Sequence, residues 1–287
     1  MFGETPSAVS HLTFGHSSVS YDVTLEDRSL IVRMNADPKV FAKTSANLAA
    51  LRTLGLPVSE IVASDLTKTR HPFAYMVVNK IPGRDLRDEL GAVTPAQKER
   101  LAGQIVGFQR RVATLPPGRS FGYASIGETA RFPHWQDLVM SEIHKDLPGD
   151  LEPPLDRLRN RVFGLASTFA PYLAQVTPTC FLDDLTTKNL IVRDGELQGL
   201  IDFDVVCYGD PLWTLGLTAA AIVADLSAEH LDYVDALCRA YGLDETGRRV
   251  ARWYAALFAL TFWPSASPEQ KDRLRHALDG WLEPIEH

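Results

Sequence analysis

The chain has 287 residues, with 29 Lys and Arg against 36 Asp and Glu for a formal net charge of -7, and is 45% hydrophobic and 23% charged. That composition is an ordinary soluble one with enough apolar residues for a large core, in one domain or two packed lobes. The acidic balance excludes a general nucleic-acid binder, whose footprint is basic, and is compatible with a cationic small substrate.

Cys180, Cys207 and Cys238 form no C-x-x-C pair. This argues against a zinc site and for a reduced, cytoplasmic setting. The start lacks a basic and an apolar region, so no signal peptide is expected. The most apolar stretches, 212–224 and 254–263, fall short of the ~20 residues a membrane helix needs.

In chain order, residues 11–23 and 29–33 read as strands, with Glu26-Asp27 turning between them. Residues 40–54 have helical spacing at Leu48, Leu51 and Leu54, stopped by Gly55 as C-cap and Pro57 beyond. Residues 61–64 and 73–78 are the next strands. After residues 79–83 the pattern turns helical. Thr94-Pro95 opens a helix whose stripe is Leu101, Ile105, Phe108, Val112 and Leu115. Helices are also expected over 138–145, 155–173, 211–224, 228–241, 246–263 and 267–283. Trp213, Trp253 and Trp263 read as core. The class is α+β, with a small β-rich lobe over 1–80, a connection about 79–83, and a larger helical lobe over 81–287. The cleft between them is the expected ligand site.

The chemistry gathers at Asp184-Leu185-Thr186-Thr187-Lys188-Asn189 and Asp202-Phe203-Asp204. Asp184 and Asn189 have the D-x-x-x-x-N spacing of a kinase catalytic loop, and Asp202 opens a D-F-x triplet. Between them, two short apolar runs flank the turn signal Asp194-Gly195. Such a hairpin brings Asn189 and Asp202 to one end, where a single Mg²⁺ can bridge them, and leaves Asp184 as the base beside an acceptor hydroxyl. Lys188 either stabilises charge on the transferring phosphoryl group or is a solvated loop Lys.

With Phe14-Gly15-His16-Ser17-Ser18, Leu30-Ile31-Val32-Arg33, Tyr75 to Gly83 and Gly209-Asp210-Pro211, this run resembles the aminoglycoside phosphotransferase and choline-kinase-like family of small-molecule kinases. The stretch from Phe121-Gly122-Tyr123 to Trp135-Gln136-Asp137 is similar to its hygromycin-type branch. The resemblance implies a protein-kinase-like two-lobed fold with ATP or GTP and Mg²⁺ as cofactors. It implies nucleotide contacts at Gly15, Ser17, Ser18, Arg33, Val78, Asn79, Ile81 and Ile201. It implies metal ligands at Asn189 and Asp202, and catalysis by Asp184 with Lys188. Asp210 reads as a helix cap.

The chain departs from the family pattern in several places. Leu182 stands where a His is usual, Asp183 where a small residue is usual, and Thr44 where a Glu usually pairs the strand base. The partner of Arg33 is therefore open. On the acceptor side, Asp183, Asp204, Asp225, Glu229 and Asp232 are candidate substrate contacts. The last three share a face if their helix is continuous; a solvated acidic face is the alternative. The expected substrate is a small hydroxylated molecule, an aminoglycoside first. A metabolite such as choline, homoserine, a sugar or a fructosamine is the alternative, as is a non-catalytic nucleotide-binding module. The expected assembly is a monomer or weak homodimer, without nucleic acid or membrane.

Overall fold

The structure is a computed structural model that describes residues 4–12, 18–144 and 153–286. Gly15 and Ser17 lie outside the described residues. Strands β1 (Ala8–Leu12), β2 (Val19–Thr24), β3 (Ser29–Asn35), β4 (Ile61–Asp65) and β5 (Ala74–Asn79) form one sheet in the order β1-β2-β3-β5-β4. All its pairs are antiparallel, and Arg33 lies opposite Met76.

Helix α1 (Pro38–Thr53) joins β3 to β4. It starts two residues earlier than its apolar spacing suggests. Asp37 accepts the Lys39 N–H at 2.9 Å, and Pro38 supplies the first helical φ. It ends in a Schellman motif: Leu56 N–H donates to Leu51 O at 3.1 Å and Gly55 N–H to Arg52 O at 2.9 Å. Gly55 sits at φ 70°, a conformation Gly adopts without a Cβ penalty. Phe41 is fully buried against Ala74, Met76 and Val78, so α1 packs on the face of the sheet.

The chain continues through β6 (Arg84–Asp85), α2 (Leu86–Glu89), α3 (Pro95–Val112), β7 (Gly122–Ala124), α4 (Trp135–His144) and α5 (Pro153–Leu173). Then come β8 (Thr179–Phe181), β9 (Leu190–Arg193), β10 (Glu196–Leu200), β11 (Val206–Gly209) and α6 (Leu212–Asp225). Helices α7 (Asp232–Tyr241), α8 (Glu245–Phe262) and α9 (Pro268–Glu286) complete it. The short strands make two three-stranded sheets, β10-β9-β6 and β7-β11-β8. The expected stripe of α3 is buried at Leu101, Ile105, Phe108 and Val112, and Thr94 and Gln97 close a capping box at its start. Trp213 and Trp253 are core side chains. Gly216 lets α6 approach α8, because a Cβ there would collide with Tyr254.

The result is the α+β, two-lobed arrangement: an antiparallel sheet with one helix, then a mainly helical lobe. Asp225, Glu229 and Asp232 do not share one helix face, because no continuous helix runs from Asp225 to Asp232. Arg273 of α9 donates to the carbonyls of Val223 and Ala224 in the last turn of α6. Ser227 is extended, and a 3₁₀ turn at Ala228–Leu231 precedes α7. Among the described residues, no helix is long and apolar enough to cross a membrane. All three cysteines are buried and free.

Candidate active site

Asp184 follows β8 in a loop held from behind. Buried Gln109 of α3 donates from Nε2 to Leu182 O at 2.8 Å and accepts the Leu182 N–H at 2.9 Å. Thr214 of α6 donates to the same carbonyl at 3.0 Å. Leu182, in the position where the family has His, is 2% exposed and belongs to the same apolar core as Phe203. Within the loop, Asn189 Nδ2 donates to Asp184 O at 2.7 Å, which leaves the amide oxygen as the atom able to ligate a cation.

The hairpin forms as its sequence suggests. Asp194 (φ 55°) and Gly195 (φ 74°) make the left-handed turn between β9 and β10. Ile201 N–H donates to Asn189 O at 3.1 Å, so the residue before Asp202 is tied to Asn189. Asp202 has φ 65°, a strained conformation for an Asp, of the kind that concentrates at functional sites. Asn47 of α1, fully buried, holds the next residues: its Nδ2 donates to Phe203 O at 2.9 Å and Asp204 O at 3.3 Å, while its Oδ1 accepts the Ile126 N–H at 2.8 Å.

The charges here disturb one another. Burial raises the Asp184 carboxyl above its usual range, opposed by hydrogen bonds from Asn189 and Thr186. Burial also raises Asp202, aided by the Asp204 and Asp184 charges and opposed by Arg33. Asp183 is pushed up to about 8, first by burial and then by Asp184. Its side chain is enclosed rather than turned to an acceptor, whereas Asp184 reaches solvent.

A cavity of about 410 Å³ lies between the sheet and the hairpin. Ser18, Arg33, Val78, Asn79, Ile81 and Ile201 line it, together with Asp202. Asp22 also lines it, paired through one oxygen with Lys80 at 2.5 Å, while its buried Oδ1 has no partner. Arg33 makes a two-pronged pair with Asp204, Nη1 to Oδ1 at 3.1 Å and Nη2 to Oδ2 at 2.8 Å. Asp204 thus meets Arg33 rather than an open acceptor surface.

The remaining acids separate. Asp225 pairs with Lys188 at 2.9 Å. Asp232 holds the nearly buried Lys98 at 2.8 and 2.9 Å, fastening α7 to α3. Glu229 is exposed and 3.6 Å from His230. Asp210 is buried at the start of α6, where its carboxylate accepts from Leu212 N–H, Tyr172 and Tyr254. Sequence reading missed Asn47 and Gln109. The available signal was a polar residue on the apolar face of a helix, beside Thr44 and Leu48 in one case and Phe108 and Val112 in the other.

The fold is protein-kinase-like, with the Asp184–Asn189 loop and Asp202 beside a cavity between the sheet and the hairpin. Residues 9–254 match the sequence profile of the phosphotransferase enzyme family, APH, and the chain belongs to that family. Its fold is similar to that of a thermostable mutant of aminoglycoside phosphotransferase APH(4)-Ia in its apo form, with TM-score 0.71 at 14% identity, covering 97% of this chain and 95% of that one. A ternary complex of a thermostable mutant of that enzyme with AMP-PNP and hygromycin B gives TM-score 0.70 at 14% identity, covering 99% and 96%. The GDP and kanamycin complex of APH(2")-IIia gives 0.69 at 15% identity, covering 99% and 95%. No curated protein sequence matches the chain.

Proposed function

We propose that the protein transfers the γ-phosphoryl group of ATP or GTP, with Mg²⁺, to a hydroxyl of a small molecule, an aminoglycoside before other classes. The observation that carries this reading is the joining of Asp184, Asn189 and Asp202 through one loop and one hairpin base beside the cavity. The residues suit the groups they would hold. A carboxylate and an amide oxygen are hard donors appropriate to Mg²⁺, which takes one or two protein ligands and completes its shell from phosphates and water. Among the described residues no cluster of three or more His, Cys, Asp or Glu could hold a metal by itself, so this two-donor arrangement relies on the nucleotide. The apolar wall at Val78, Ile81 and Ile201 suits a base, and Arg33 suits phosphate oxygens.

When bound, Mg²⁺ neutralises charge on the triphosphate. Asp184 orients the acceptor hydroxyl and takes its proton as the new O–P bond forms and the bond to the nucleoside diphosphate breaks. Asn47 and Gln109 hold the two backbone segments, so the acids need little rearrangement. Lys188, paired with Asp225, lies beside Asn189 in sequence and can offset charge near the phosphoryl group. The structural neighbours that bind hygromycin B and kanamycin support the aminoglycoside class.

One observation favours a second reading, a metabolite kinase acting on a less cationic alcohol. Asp225 and Asp232 already hold Lys188 and Lys98, which leaves less unpaired negative charge for a polycation. A coupled nucleotide-turnover screen over aminoglycosides, choline, homoserine and sugars separates the two. Product from an aminoglycoside supports the first reading, and product only from the other alcohols supports the second.

A further inference from the structure

Arg33 is the base at the end of the strand lining the nucleotide cavity, and the neighbouring helix offers it no carboxylate. Helix α1 contains no Asp or Glu along its whole length, and Thr44 stands where the family pattern has an acid. The guanidinium is nevertheless held in a fixed fork. Asp204 accepts both Arg33 Nη1 and Nη2, at 3.1 and 2.8 Å, and both side chains are largely shielded, at 17% and 18% exposure. Ser18 Oγ lies 3.2 Å from Nη2. Thr44 donates to Asp204 Oδ1 at 2.5 Å, and Asn47 fixes the Asp204 backbone. Arg33, Ser18 and Thr44 line the cavity, but Asp204 does not. The carboxylate therefore holds the base without itself lining the ligand space.

We infer that Asp204 is a positioning residue for Arg33: it replaces the missing α1 acid from the opposite lobe, with Thr44 as its buttress, and aligns the guanidinium toward the nucleotide phosphates. This inference rests on the phosphotransferase reading. It assigns Asp204 neither to the acceptor nor to the metal, because Arg33 and Thr44 occupy both of its oxygens. It also makes the phosphate-binding base dependent on lobe contact, since Arg33 belongs to β3 and Asp204 follows β10. A side chain aligned in advance loses less freedom on binding its ligand.

The test is a double-mutant cycle read by calorimetric titration with Mg·ATP and Mg·GTP, with melting temperatures measured alongside. Arg33→Gln and Asp204→Asn should each weaken nucleotide binding on the order of 10- to 100-fold, the usual worth of a charged hydrogen-bonded contact. The double variant should be no weaker than the poorer single one. Thr44→Glu combined with Asp204→Ala should recover much of the loss, by supplying the acid from α1. Should Asp204→Asn not fold, Arg33→Lys carries the test: it keeps the charge, breaks the fork, and should cost roughly tenfold. Unchanged affinity in Arg33→Lys would overturn the inference. So would unchanged affinity in Asp204→Asn, additive losses in the cycle, or a loss that Thr44→Glu leaves untouched while added Mg²⁺ restores it. If the unaltered protein binds neither nucleotide, the phosphotransferase reading fails and this one with it; if it binds and the cycle is additive, only this one fails.

Discussion

Adjacent aspartates in the catalytic run have opposite environments. Asp184 reaches solvent and stands five positions before Asn189, while Asp183 is enclosed with Tyr123 and Cys207 nearby and is pushed up to about 8 by burial. Asp184→Asn should lower kcat by roughly 10²–10⁴, the worth of a positioned base, and Asp183→Asn by far less; steady-state kinetics of the two variants checks the ranking. Asp183 also makes a prediction about stability. Its carboxyl titrates higher folded than unfolded, so the folded state binds the extra proton between about pH 4 and about pH 8. The stabilisation is complete at low pH and is lost as pH rises through that window. Asp183→Asn, which cannot ionise, should flatten the decline and raise stability near pH 8 by at least about 1 kcal/mol. Denaturant melts at pH 5 and pH 8 measure it, and a variant equally or less stable than the parent at pH 8 contradicts the assignment.

Among the elements, α3 should affect turnover without lining the cavity, through Gln109. Gln109 satisfies both backbone groups of Leu182, so Gln109→Leu leaves a buried N–H without its acceptor. It should cost about 1–3 kcal/mol of stability and lower kcat more than it alters nucleotide affinity, by loosening the loop that carries Asp184. Thermal melts and kinetics together check this; unchanged kcat in a folded variant would count against it. The same element marks where sequence reading stops. Its stripe and its Thr94 cap are local and periodic, as are the Asp194-Gly195 turn and the spacing of Asp184, Asn189 and Asp202. Each was legible because its partners lie within a few turns of chain. Gln109 and Leu182 are 73 residues apart, and Arg33 and Asp204 are 171 apart. No period or motif encodes such pairs. The contact between α6 and α9 is of the same kind, since Arg273 donates to Val223 O from 50 residues away.

At the scale of the molecule, lobe contacts and helix contacts use the charges that composition alone would offer to a cation. Asp232 secures Lys98, which is 7% exposed, so Asp232→Asn should lower stability and leave acceptor kinetics unchanged. Solvent reaches Asp232, which keeps the expected cost near about 1 kcal/mol. Asp225, paired with Lys188, and the exposed Glu229 remain as candidate acceptor contacts, and neutralising them should raise the Michaelis constant of a cationic acceptor without altering nucleotide binding. That attraction should weaken with salt, as exposed charges are screened over about 8 Å at physiological ionic strength. The central claim is that Asp184, in a protein-kinase-like cleft, directs a phosphoryl group onto a small-molecule hydroxyl. The most direct measurement is mass spectrometry of an aminoglycoside and small-alcohol panel incubated with Mg²⁺ and ATP or GTP, using the unaltered protein and Asp184→Asn. The account predicts an acceptor that gains one phosphoryl group with the unaltered protein and almost none with the variant. Equal product from both, or nucleotide turnover that never yields a phosphorylated acceptor, would contradict it.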